Sequence, residues 1–275
     1  MQVASAIAPV RDLIRALPGP IAFVPTMGAL HDGHLSLVEV AREHAGSVVA
    51  SVFVNPLQFG PTEDYAKYPR DYDGDFAKLA GAGVDVLFAP DATAMYPTGF
   101  STTVDIGPMA HVFEGEIRKT HFAGVVTVVS KLLNIVQPDI LVLGQKDAQQ
   151  TAVLRKLIRD LGYPVDVQIV PTARESDGLA RSSRNAFLTR EQRAVAPTLY
   201  AALVGMRDAL LAGKSKYDAT ETADKILTEH ALLDYFDIVD ADTFEVLETL
   251  RAPAFVIGAA RFGPTRLLDN LWIPD

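Results

Sequence analysis

The chain of 275 residues has no cysteine, a single tryptophan and fewer basic than acidic side chains, 25 Lys+Arg against 34 Asp+Glu. Lack of cysteine excludes disulfides, a thiolate zinc site, iron–sulfur clusters and a cysteine nucleophile. It also fits a reducing compartment. A formal net charge of −9 argues against non-specific binding to nucleic acid or to an anionic membrane. Long apolar runs are missing as well. Residues 46–62 are uncharged, but Asn55, Pro56, Gln58 and Pro61 interrupt them, and a bilayer span needs roughly 20 apolar residues. Arg11, Asp12 and Arg15 break up the first twenty residues, so no secretory signal is expected there. A hydrophobic content of 49% is enough for a substantial core and argues against disorder. The expectation is a cytoplasmic protein of two domains, or of one large core with an appendage.

Two textures divide the chain. In residues 1–172, short β-branched runs at 21–24, 47–54, 85–89, 140–143 and 165–170 alternate with helical patterns at 34–44, 73–82, 123–136 and 149–161. The runs are almost continuously apolar, as strands covered on both faces require. Strand–helix alternation implies a Rossmann-like α/β domain with a parallel sheet and helices on both faces. Ligands of such sheets bind beyond the carboxyl ends of the strands. Residues 173–275 open with a polar connector, 173–185. Helical patterns at 190–212 and 217–230 follow, then strand-like stretches at 235–240, 254–260 and 266–271. This reads as a smaller C-terminal α+β domain.

Chemistry-bearing residues gather where strands end. Met27-Gly28-Ala29-Leu30-His31-Asp32-Gly33-His34 follows the first of these strands and opens a helix. Glycines there allow close backbone approach or positive φ, and a helix start offers free N–H groups to phosphate. His31 and His34, three apart, share a face if the helix includes both. Gly144-Gln145-Lys146-Asp147 occupies the equivalent place after 140–143, with Gln150 three residues on; a plain turn with an Asp147 cap and a Gln150 capping box is the competing reading. Arg181-Ser182-Ser183-Arg184, in the connector, suits an anion grip or a solvated linker. Asn55 and Gln58 end the second strand, and could recognise hydroxyl and carboxylate groups or form an Asn-Pro turn. Arg118-Lys119-Thr120-His121 is a basic spot, either a lid over anions or exposed charge. Cationic groups concentrated at strand ends of an acidic protein point to a polyanionic small molecule such as ATP.

Three patterns fail. Gly213-Lys214-Ser215 has Asp208 in place of the leading P-loop glycine and no strand before it. Gly81-Ala82-Gly83 lacks a third glycine and precedes a strand. The stretch Asp71-Tyr72-Asp73-Gly74-Asp75 misplaces the glycine of a calcium loop, and Ala82 stands where the bidentate glutamate belongs.

The ordered set of Pro25 to His34, Ser51 to Phe59 with Tyr68-Pro69-Arg70, His121 to Lys131, Gln137 to Gln150 and Asp177 to Asn185 closely resembles the pantoate–β-alanine ligase family, within the His-x-Gly-His nucleotidyltransferase superfamily. That resemblance implies ATP-dependent condensation of pantoate with β-alanine through a pantoyl-adenylate, releasing pyrophosphate and AMP. An adenylyltransferase acting on a phosphorylated acceptor shares His-x-Gly-His and is the alternative. The resemblance further implies His31, His34, Lys146, Ser182, Ser183 and Arg184 as catalytic, with His34 the proton donor. ATP would be held by Met27, Gly28, Ala29, Leu30, His31, Asp32, Gly33, His34, Gly144, Gln145, Lys146, Asp147, Ala173, Arg181, Ser182, Ser183 and Arg184. Asn55, Gln58 and Gln150 would hold pantoate and β-alanine. Mg²⁺ is implied with ATP, with Asp73 or Asp75 as candidate ligands, and the implied assembly is a homodimer. The C-terminal domain would act as a lid carrying the Ser-Ser-Arg loop. The sequence departs from the family pattern at Gly74, Gln145, Ala148 and Arg181, where an acid, a glutamate, an aromatic and an apolar residue are common.

Overall fold

A computed structural model describes residues 1–60, 65–66 and 68–274. Pro61 and Thr62, at the end of the uncharged run, lie outside them. The chain divides into two units, 1–145 with 153–171, and 146–152 with 172–275.

The first unit contains β1 (Gln2–Ala4), α1 (Ile7–Arg15), β2 (Ile21–Thr26), α2 (Asp32–His44), β3 (Ser47–Val52), α3 (Tyr72–Gly81) and β4 (Val86–Phe88). The one-turn helices α4 (Ala92–Met95) and α5 (Glu114–Ile117) follow, then α6 (His121–Val136), β5 (Ile140–Gly144), α7 (Ala148–Leu161) and β6 (Asp166–Val170). The first turn of α7 belongs to the second unit. All six strands are parallel, in the order β1-β4-β3-β2-β5-β6. Side chains alternate across the sheet. Ala22 and Val24 of β2 therefore join Leu37, Val38 and Ala41 of α2 and Leu79 of α3 in one core. Phe23, fully buried, points to the other face, where α6 packs on β2 and α1 packs on α6. The expected doubly covered parallel sheet is present. Its order reverses at β2, which pairs with β3 on one side and β5 on the other, and that reversal marks the ligand edge.

β1 and α1 had no counterpart in the reading of the sequence. β1 is three residues long on the sheet edge, too short to register as an apolar run. Pro9 sits in the first turn of α1, a position where its missing N–H costs nothing.

The second unit holds α8 (Arg190–Val195), α9 (Thr198–Leu211), α10 (Lys216–Leu227), β7 (Leu232–Asp240), β8 (Ala254–Phe262) and β9 (Thr265–Ile273). The strands form an antiparallel sheet in the order β7-β8-β9. The single helix expected over 190–212 is two, with Pro197 at the N-cap of α9. Residues 190–211 have the length and apolarity of a membrane span. The apolar face of α9 (Leu199, Leu203, Met206 and Leu210) is instead core, packed with Ile238, Val256 and Phe262. The excluded P-loop is a helix start: Ser215 caps α10, its Oγ accepting from Asp218 N at 3.1 Å.

Candidate active site

The segment after β2 makes a sharp reversal. Thr26 Oγ1 donates to Ser51 O of β3 at 2.7 Å and accepts from Gly28 N at 3.3 Å. Gly28 (φ 85) and Ala29 (φ 52) both adopt left-handed conformations. For alanine that costs on the order of 1 kcal/mol, so something must hold the turn. The holder is α3. Asp75, 2% exposed, accepts from Ala29 N at 2.8 Å through one carboxylate oxygen and from Leu30 N at 2.7 Å through the other. Lys78 donates to Leu30 O at 2.7 Å. A Cβ on Gly28 would lie 2.8 Å from the Asp75 carboxylate, so the glycine is needed for space as well as for φ.

Asp73 and Asp75, the candidate magnesium ligands, both lie on α3. Asp75 is occupied with backbone amides, and Asp73 is exposed on the first turn of α3. Among the described residues, no three His, Cys, Asp or Glu side chains cluster as a metal site. Gly74 has its own local reason: its N–H donates to the α3 cap Asp71 at 3.1 Å, and a side chain there would collide with that carboxylate.

α2 starts at Asp32, two residues earlier than expected, with His31 as N-cap and His34 in the first turn. Gly33 is therefore helical rather than a positive-φ residue. His31 N donates to His34 Nδ1 at 3.3 Å, and the two rings lie 4.1 Å apart. Because Nδ1 accepts, the proton of a neutral His34 sits on Nε2. The first turn of a helix is a place whose N–H groups suit an anion.

Asn55 and Gln58 leave β3 at the same sheet edge and are 1% and 6% exposed. Asn55 Oδ1 accepts from Tyr96 OH at 2.7 Å and from Leu57 N at 3.3 Å. Its Nδ2 donates to Gly124 O at 3.0 Å and Gln58 Oε1 at 3.1 Å. Both polar atoms of the Asn55 amide are thus engaged inside the protein, and what it holds is Gln58. With Oε1 taken by Asn55, the Gln58 amide turns its Nε2 toward Met27 Sδ at 2.9 Å. The backbone of Gln58 is fixed too: its carbonyl lies 3.1 Å from His121 Nδ1 and accepts from Arg118 at 3.4 Å. In the basic spot at 118–121, Lys119 is exposed and two other side chains turn toward Gln58. Arg118 and His121 form the seat of Gln58. Burial raises the Tyr96 phenol well above its usual value, keeping its proton available to Asn55.

Gly144 ends β5, the strand beside β2, and Gln145 follows at the edge reached by the His31–His34 segment. Both are half-buried.

In the second unit, Lys146, Ser182, Arg184 and Asn185 line one cavity with Arg266 and Asp269. Lys146 Nζ is 3.3 Å from Asp147 Oδ1. Asp147 ends a 3₁₀ turn, Gln145–Asp147, ahead of α7, and Gln150 is half-buried in the first turn of α7. Ser182 caps a second 3₁₀ turn, Ser183–Phe187, accepting from Arg184 N at 3.2 Å. Ala173 O accepts from Arg181 N at 2.9 Å, closing a hairpin just before Ser182. Arg181, one of the departures, is paired with Glu175 at 3.4 Å. This pairing offsets the charge that an apolar residue would not have brought.

A family model described as pantoate-beta-alanine ligase matches residues 2–272. The chain belongs to that family. A pantothenate synthetase of Acidothermus cellulolyticus is 48% identical over 274 residues, covering 98% of this chain and 90% of the relative. A crystal structure of the pantothenate synthetase from Thermus thermophilus superposes with a TM-score of 0.94 at 49% identity, covering 100% of both chains. The pantoate-beta-alanine ligase of Francisella tularensis, complexed with beta-gamma ATP and beta-alanine, gives a TM-score of 0.82 at 34% identity over 99% of this chain and 97% of that one. As a pantoate–β-alanine ligase, the enzyme condenses pantoate with β-alanine. The alternative, transfer of AMP to a phosphorylated acceptor, is not favoured.

Reading the sequence missed residues that brace these segments: Asp75 as a loop anchor, Lys78 and Tyr96. Asp75 lies 45 residues from Leu30, and nothing in its local pattern points there. Tyr96 offered no signal beyond being an aromatic near a short helix.

Proposed function

We propose that the ligase works in two steps, with residue roles as follows. The pantoate carboxylate oxygen attacks the α-phosphorus of ATP; the O–P bond forms, the bridge to the β-phosphorus breaks, and pyrophosphate leaves with its electron pair. The β-alanine amine then attacks the acyl carbon, loses a proton and expels AMP. A carboxylate oxygen is a poor leaving group and AMP a good one, so adenylation is what makes amide formation accessible. The first nucleophile is already anionic. The protein therefore contributes position and charge stabilisation.

His34, with Nε2 as donor, and His31 stabilise charge that develops on the phosphate oxygens. The segment Met27 to Gly33, Gly144 and Asp147 hold the nucleotide. Lys146, Ser182, Ser183 and Arg184 hold the triphosphate, on a domain that serves as lid. Gln58 presents Nε2 to a carboxylate or hydroxyl oxygen of pantoate or β-alanine, and Gln150 adds a second amide. Asn55 serves by orienting Gln58. Mg²⁺ comes with the triphosphate, whose oxygens supply most ligands of such an ion, with Asp73 or Asp75 as candidate protein ligands. The proposed enzyme is a cytoplasmic homodimer, and sedimentation of the purified chain tests the assembly.

The observation that carries this reading is the buried amide pair: Asn55 fixes Gln58 so that a single donor faces Met27, beside a helix start bearing two histidines. One assay tests it. ATP, pantoate and β-alanine are supplied together and then omitted one at a time. Pyrophosphate exchange that needs pantoate but not β-alanine, with AMP release that needs all three, is expected. Exchange without pantoate rules the scheme out.

A further inference from the structure

Lys146 and the Ser182–Arg184 segment come from distant parts of the chain, yet both are tied to one dipeptide on β9. Asn270, 2% exposed, donates from Nδ2 to Lys146 O at 2.8 Å. Its neighbour Asp269, 4% exposed, accepts both terminal nitrogens of Arg174, at 2.6 and 2.9 Å. Arg174 also donates to Asn270 O at 3.2 Å and to Gly178 O at 3.0 Å, and its guanidinium stacks 4.1 Å from the centre of the Tyr200 ring. Tyr200 in turn packs against Gly178, where a side chain would strike the ring. Arg174 thus pins the hairpin closed by Arg181 N and Ala173 O, and Ser182 is the next residue out.

A buried ion pair gives little stability over an apolar substitute, because desolvation consumes most of the attraction. A bidentate Arg–carboxylate pair does impose a definite geometry. Here the geometry is shared. The Asp269 carboxylate also accepts from Asn270 N at 2.7 Å, so the side chain gripping the hairpin and the amide gripping Lys146 are locked to each other. Lys146, Ser182, Arg184 and Asp269 line the same cavity.

We propose that Asp269 and Asn270 are positioning residues for adenylation. They set the spacing between the Lys146 ammonium and the Ser182–Arg184 segment, so the C-terminal strand acts as a template for the triphosphate site. This rests on the assignment of Lys146 and Ser182–Arg184 to the triphosphate. An error of about 1 Å in the placement of a charge-stabilising group costs roughly 10²-fold in rate.

The test is pantoate-dependent pyrophosphate exchange in Asn270→Ala, Lys146→Ala and the double variant, with thermal unfolding of each. Asn270→Ser, which keeps a polar group too short to reach Lys146 O, serves if the alanine variant folds poorly. The expected result is a kcat for exchange lowered about 10- to 100-fold by Asn270→Ala, with KM for pantoate unchanged. In the Lys146→Ala background, Asn270→Ala should add no further loss, since a residue acting through the ammonium has nothing left to position. The same fold-loss in both backgrounds would mean general destabilisation and overturns the proposal. So does wild-type exchange in Asn270→Ala while Lys146→Ala is impaired. Wild-type exchange in Lys146→Ala overturns the triphosphate assignment itself, and this proposal with it.

Discussion

Asp75 and Leu30 meet at 2.7 Å, carboxylate oxygen to backbone amide, across 45 residues of sequence. The second oxygen of Asp75 takes the amide of Ala29 at 2.8 Å. One buried side chain therefore fixes the two residues before the His31–His34 pair. Asp75→Asn can satisfy only one of these amides and turns its own N–H₂ at the other. A buried donor left facing a donor costs about 1–3 kcal/mol. Thermal unfolding should show that loss, and pyrophosphate exchange should fall with a raised KM for ATP. An exchange rate and melting temperature like those of the wild type would show that the loop holds itself.

Tyr96→Phe removes one hydroxyl and leaves the ring. Asn55 Oδ1 then keeps only its 3.3 Å contact with Leu57 N, and the Gln58 amide loses its fixed orientation. KM for pantoate should rise about 3- to 10-fold, the scale of one neutral hydrogen bond, with KM for ATP unchanged. The phenol also predicts a pH effect. Its pKa is raised in the folded protein above the ordinary 10.0. Between those values the folded state keeps a proton that the unfolded state has released. Stability therefore falls as pH rises above about 10. Tyr96→Phe should flatten that decline in alkaline unfolding curves.

The sheet was legible because its inner strands β2, β3 and β5 are almost continuously apolar, as strands buried on both faces require. Its edge was less so: β1 spends three residues on pairing with β4. The motif positions followed from the strands, since a Gly-rich stretch after an apolar run falls on the ligand edge. The duties of individual polar residues did not follow. Asp75 and Asn55 have the chemistry of a metal ligand and a substrate contact, and no local pattern shows that Asp75 also bonds the Ala29 and Leu30 amides or that Asn55 also bonds Gln58 and Gly124 O. Asp269 and Asn270 were hidden for a different reason. They sit inside a strand whose neighbours are apolar, and an acid–amide pair in that setting has no sequence signature of its contact with Lys146.

Gly124 and Gly144 should respond differently to alanine. At Gly124 a Cβ would collide with the backbone carbonyl of Leu57, so α6 could no longer support the turn carrying Gln58. Overpacking against backbone costs roughly 1–3 kcal/mol. Gly124→Ala should lower the melting temperature and raise KM for pantoate. At Gly144 the nearest atom to a Cβ is Leu37 Cδ2 at 3.8 Å, ordinary contact distance. Gly144→Ala should fold like the wild type and raise KM for ATP alone, because Gly144 is proposed to hold the nucleotide. Equal loss of stability in the two variants would remove this distinction.

His34 allows its hydrogen-bonding and proton-transfer roles to be separated. Its Nδ1 accepts from His31 N at 3.3 Å, so the neutral ring already offers a proton-bearing Nε2 and need not be cationic to serve a phosphate oxygen. His34→Ala removes that donor and should lower pantoate-dependent exchange by about 10² or more, the usual cost of a lost oxyanion donor. Glutamine places an amide nitrogen at a reach similar to Nε2, with no titration near neutrality. If His34 works as a neutral donor, His34→Gln should recover much of the rate lost in His34→Ala, and its exchange should be flat between pH 6 and 8. If the imidazole instead passes a proton in the transition state, the glutamine variant should be as slow as the alanine one. Loss of the high-pH limb of the wild-type profile would accompany that result, because a proton donor works only in its protonated form. Exchange rates of the two variants across that pH range decide between the roles, because a hydrogen bond survives the replacement and a proton transfer does not.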